Sequence, residues 1–262
     1  MMDDSQGTGG PGAVAGRTDW AKIFASEFVS RPRCWETCDG FCCTPTRVQR
    51  HFRFLRRSGV DLPHLPGEYA FLKRTGRLQA GYSESFTRHD LLLPNGRVLP
   101  IYRAVCNLGG RCSDHAYRPV VCRIYPFMPV PTLDGTVERL EPTALIDLFW
   151  DDLEHAVAPC SIVSLTPAER TRYEALCREL FKDPVNILYF KAASIYKNAI
   201  LRSVREQYPE LLSGPEDRFF SQWEKLLVFG KLYRPASVLE TIAQVWDALE
   251  ARLGGPLTPE EP

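Results

Sequence analysis

The run Cys34-Trp35-Glu36-Thr37-Cys38-Asp39-Gly40-Phe41-Cys42-Cys43 places four thiols within ten residues, and it constrains the chain more than any other feature. Thiolates a few residues apart turn toward one metal ion without long excursions of the backbone. Gly40 lets the chain fold tightly around such an ion. A disulfide framework is a poor reading, because the nine cysteines are odd in number and adjacent Cys42 and Cys43 hardly pair with each other.

More thiols follow at a distance. Cys106-Asn107-Leu108-Gly109-Gly110-Arg111-Cys112 again sets glycines between two cysteines. Next comes Tyr117-Arg118-Pro119-Val120-Val121-Cys122-Arg123, where Pro119 suits the start of a helical turn that would contain Cys122. Cys160 stands in Ala158-Pro159-Cys160-Ser161. Bound thiolates accumulate negative charge, which Arg103, Arg111, Arg118 and Arg123 are placed to offset. Cys177, within Tyr173-Glu174-Ala175-Leu176-Cys177, falls on an amphipathic helical pattern and reads as a core residue.

The rest of the 262-residue chain is that of an ordinary globular protein, with a formal net charge of zero. That balance gives no signal for nucleic acid, and no apolar run is long enough to span a bilayer. Met1-Met2-Asp3-Asp4 lacks the basic and apolar regions of a secretory leader, so a reducing, cytoplasmic setting is expected.

The fold expected is α+β, with short antiparallel hairpins and loops around a cysteine metal centre and a mostly helical C-terminal half. Residues 1–17 are Gly-rich and expected to be disordered, as are the Pro/Glu-rich residues 254–262. Between them, 18–253 is read as one domain, with a metal-binding part (18–165) and a helical part (166–253). A short amphipathic segment is expected over 20–29. A helix is predicted after Cys43, capped by Thr44, with Pro45 first, a Val48/Phe52/Leu55 stripe and Gly59 as its end. Hairpins are predicted around Asn95-Gly96 and Asp134-Gly135. Thr166-Pro167-Ala168-Glu169 predicts a capped helix start, and helices are predicted over 186–207, 217–232 and 236–253.

The first cysteine run, Gly110-Arg111-Cys112 and the segment Tyr117-Arg118-Pro119 through Cys122-Arg123-Ile124-Tyr125-Pro126-Phe127 together resemble the YkgJ-type cysteine-cluster family, named for a CxxCxxCC motif. Leu65-Pro66-Gly67-Glu68-Tyr69 is similar to a segment that follows the first cysteines in that family. The resemblance extends from Cys34 to Cys160. It departs in spacing, with three residues instead of two between Cys34 and Cys38 and between Cys38 and Cys42. The resemblance implies chelation of zinc or iron. The ligand set expected is Cys34, Cys38, Cys42, Cys43, Cys106, Cys112, Cys122 and Cys160. This exceeds what one zinc site needs, which leans the expectation toward an iron–sulfur cluster, with zinc as the alternative. Related cysteine motifs occur in flagellin lysine methylases. Three functions are therefore open: a structural or redox metal centre, a metal-dependent enzyme modifying protein side chains, and a zinc-stapled module binding a protein partner.

Other features carry less. Arg47, Arg50, Arg53 and Arg57 at helical spacing read as a solvated face, and so do Asp147, Asp151, Asp152 and Glu154. His115 lies among the cysteines and is a candidate ligand or proton carrier. His51, His64, His89 and His155 are scattered. Glu68, inside the family-like segment, is a candidate base or ligand. No Gly-rich loop suggests a nucleotide site.

Overall fold

The computed structural model describes residues 17–29, 52–54, 59–78, 86–108, 112, 115–149, 152, 160, 164–231 and 235–259. The first cysteine run and the residues predicted to start a helix at Thr44 lie outside that set. The architecture is α+β, with seven α-helices and two small antiparallel sheets among the described residues. None of these helices is long and apolar enough to cross a membrane.

Three strands form the first sheet: β1 (Val60–His64), β2 (Thr87–Leu92) and β3 (Val98–Cys106), in the order β1-β3-β2. Gly96 adopts φ +78° in the turn between β2 and β3, the conformation that Asn-Gly turns supply. β1 contains Pro63, which an edge strand tolerates because no neighbour requires its missing N–H. The second sheet is a hairpin of β4 (Phe127–Pro131) and β5 (Val137–Pro142). Its turn places Gly135 at φ +83°, where an added Cβ would come within 3.0 Å of the Phe181 carbonyl oxygen.

Three short helices accompany the sheets: α1 (Trp20–Phe24), α2 (Glu68–Arg74) and α3 (Val120–Ile124). Four longer ones make the C-terminal half: α4 (Pro167–Leu180), α5 (Pro184–Gln207), α6 (Glu216–Val228) and α7 (Pro235–Leu253). α4 starts with the expected capping box, in which Thr166 and Glu169 satisfy each other's backbone amides. Asp183 caps α5 through the Val185 amide. α5 packs against α7 and β4.

The main core draws on both halves, from Ile23 and Phe28 through Leu99 and Ile124 to Leu188 and Trp246. A second cluster holds Phe149, Phe219, Phe220 and Trp223, and Phe52 joins it. Phe52 to Phe54 is not helical, contrary to the sequence expectation. The amides of Arg53 and Phe54 donate to the Glu224 carboxylate at 2.7 and 2.6 Å, which replaces helical hydrogen bonding there. Gly59 stands immediately before β1, and the residues that would form a helix ahead of it, 55–58, lie outside the described residues. A Cβ on it would come within 2.4 Å of the Cys106 carbonyl oxygen and 2.0 Å of Asn107 Oδ1, so glycine is required by close approach to the end of β3.

The β2–β3 turn is tied to α7, with Asn95 Nδ2 donating to Asp247 at 2.8 Å and Arg97 pairing with Glu250 at 2.7 Å. Beyond α7 the chain turns at Gly254, Leu257 is buried, and its amide donates to Glu250 at 2.9 Å.

Candidate functional site

The period of two along β3 separates its side chains into two sets. Residues paired directly across an antiparallel ladder share a face. Cys106 faces Val60, and Ala104 faces Leu62. These four side chains form a small apolar cluster against which Val121 and Cys122 of α3 also pack. Tyr102 continues that face, followed by Phe86, with Tyr69 stacked on Phe86 at a centroid distance of 3.6 Å. Leu99, Ile101 and Arg103 occupy the other face, toward a cavity of about 550 Å³.

The position of Cys122 is fixed by the segment that includes Gly67 and Glu68. Gly67 takes φ +75° at the start of α2, a conformation glycine adopts without strain. This turns the Glu68 carboxylate back into the interior, where it is fully buried. One oxygen accepts from the Leu65 amide at 2.9 Å and the other from the Val120 amide at 2.6 Å, at the N-terminus of α3. Burial pushes the carboxyl up to about 7, against the opposing pull of those amides and of Arg123. Glu68 therefore orients the turn that carries Cys122. The expectation that it acts as base or ligand meets a carboxylate whose two oxygens are both engaged by backbone.

Two of the arginines expected to offset thiolate charge, Arg103 and Arg123, make other contacts. Arg123 is buried, donates to the Ile23 carbonyl at 3.2 Å and lies over the rings of Phe24 and Phe28. Burial lowers it to about 10, still above neutrality. Arg103 projects from the face opposite Cys106 and contacts His89 at 2.6 Å and Asp61 at 3.8 Å. Strand alternation accounts for this, since position 103 and position 106 are an odd number of residues apart.

Of the eight expected ligand thiols, Cys34, Cys38, Cys42 and Cys43 lie outside the described residues. Cys106 is buried, and Cys112, Cys122 and Cys160 are half-buried. The structure brings Cys122 to the cluster containing Cys106. Among the described residues, no three His, Cys, Asp or Glu side chains converge as a metal site. The donor chemistry suits zinc or iron, but the described thiols alone do not complete a ligand set. Cys177 is fully buried in the main core, and burial raises its thiol well above the usual range. His115 lies in a short 3-10 helix over 115–117. Asp152 pairs with Arg205 at 2.8 Å.

The cavity brings in residues the sequence reading passed over. His64 is buried on its wall, and burial lowers it to about 4, so the imidazole is neutral. Lys197 is 5% exposed, and burial lowers it to about 8. A signal for Lys197 exists. Phe190, Ser194, Lys197, Ile200 and Val204 follow helical spacing and are all buried, so the lysine occupies a core position of α5. No family model, curated protein or solved structure matches this chain.

Proposed function

We propose that the chain is a cytoplasmic metal-binding protein, with a cysteine centre of the kind its YkgJ-like motifs imply. Cys106 and Cys122 would hold the metal together with thiols of the first cysteine run, and Cys112 and Cys160 are the remaining candidates. The observation that supports this reading is the packing of Cys122 against the cluster of Cys106, on a turn held from behind by Glu68. A cluster of iron and sulfide would supply electron transfer, and zinc would supply a structural tie. The thiol count favours the former.

A second reading, a metal-dependent enzyme acting on protein side chains, draws on a different observation. The cavity is lined by Val120 and Val121, immediately before Cys122, so a pocket adjoins the proposed centre.

Anaerobic purification followed by metal and acid-labile sulfide analysis tests the proposal. Iron and sulfide in comparable amounts are expected, falling in Cys106→Ser and Cys122→Ser. Protein that retains neither iron nor zinc, before and after reconstitution, would sink it.

A further inference from the structure

The cavity between the first sheet, α3, α5 and α7 has a volume of about 550 Å³, within the range of small-molecule sites and larger than a packed core leaves empty. Its body is aliphatic: Leu99 and Ile101 from β3, Val120 and Ile124 from α3, Val238 and Ile242 from α7. Its polar groups are few, which is the composition of a site that binds an apolar body and orients one head group.

One corner of the cavity has hydrogen-bonding capacity to spare. Lys197 reaches it from α5 and Thr143 from the end of β5, and both line the cavity. The Lys197 ammonium donates to the Pro142 carbonyl. It forms an ion pair with Glu141 Oε2 at 3.8 Å, too long for a hydrogen bond, and that oxygen is buried without a hydrogen-bond partner among the described residues. The other oxygen of Glu141 already accepts from Arg139, Ser194 and Asn198. An ammonium has three donors, so this one has more to give. The Thr143 hydroxyl oxygen is buried and has no hydrogen-bond partner among the described residues. A buried polar group left unmet is costly, and an acceptor placed between these two would satisfy both.

The charges on the wall decide the sign of the head group. Arg103 and Lys197 are cationic, and the Nε of Arg103 is buried without a partner among the described residues. The carboxyl on the wall, Glu68, has its oxygens committed to Val120 and Leu65. We propose that this cavity binds a small amphipathic carboxylate, of the medium-chain acyl type, with its apolar body along β3 and α3 and its head group held by Lys197 and Thr143. This proposal does not rest on the metal centre proposed above, one of whose described thiols, Cys122, lies on the same short helix as Val120 and Ile124.

Calorimetric titration of the full chain with decanoate, decan-1-ol and decyltrimethylammonium tests this. Decanoate should bind saturably at one site, about tenfold or more tighter than the alcohol or the cation. Lys197→Met keeps the bulk of the stem and should weaken decanoate by about tenfold while leaving the alcohol unchanged. Ala193 lies exposed at the rim of the cavity, so Ala193→Trp should fold and block all three probes. The series on unaltered protein needs no variant to fold. No saturable decanoate binding, equal binding of the alcohol or cation, or decanoate binding undiminished in Lys197→Met or Ala193→Trp would each overturn the proposal. Metal content, read separately, decides the metal proposal.

Discussion

The two faces of the three-stranded sheet are built from alternate residues of the same strand, yet they have been put to different use. The face of Cys106 is closed, with Leu62, Ala104 and stacked aromatic rings filling it. The face of Ile101 is open to a cavity with charged side chains at its edges. Packing therefore closes the side that carries Cys106, while on the other side the side chains enclose a cavity.

The largest test of this contrast is deletion of a side chain on each face. Tyr102→Ala should destabilise by about 3–5 kcal/mol, because it empties a fully buried aromatic site. Ile101→Ala, half-buried on the cavity wall, should cost less, about 2 kcal/mol, the low end for truncating an aliphatic side chain. Urea unfolding of both variants measures the gap, and equal losses would mean that the cavity side is as tightly packed as the other.

Next in size is a pH effect. His64 is held at about 4 when folded, below its unfolded 6.5, so its contribution is complete above pH 6.5 and lost as the pH falls toward 4. Glu68 is raised to about 7 from 4.5, so its contribution is complete below pH 4.5 and lost as the pH rises to 7. Between these the two slopes oppose each other, and the stability of the unaltered protein should be nearly flat. Glu68→Gln removes one slope. Stability of that variant should then rise by about 3 kcal/mol from pH 4 to 6.5, a gain that an equally flat profile would contradict.

At a fixed pH, Glu68→Gln should cost about 1–3 kcal/mol, because an amide group cannot accept from both Leu65 and Val120. It should also lower the metal-to-protein ratio without altering a thiol. The smallest effect expected on metal is from Cys177→Ala, which should leave that ratio unchanged because Cys177 sits in the main core.

What could be read from sequence was local. Asn95-Gly96 and Asp134-Gly135 announce their turns because few other residues accept a positive φ. Thr166 and Glu169 announce the start of α4 because the capping box is contained in four residues. β1 went unread, being five residues long and interrupted by Pro63. The role of Gly59 depends on Cys106, far along the chain, and the bend at Phe52–Phe54 depends on Glu224. The core position of Cys177 was legible from its amphipathic helical pattern. The cavity was not, because its wall is assembled from separate segments whose apolar residues read as ordinary core.

α3 is five residues long, and within it Val120 and Ile124 belong to the cavity, Cys122 packs toward Cys106, and Val121 borders both. One turn of helix moves as a unit. If both proposals hold, a molecule that pushes on Ile124 would also displace Cys122, and an ion that draws Cys122 inward would reshape the pocket. The two occupancies would then be thermodynamically linked, each changing the affinity of the other by the same factor.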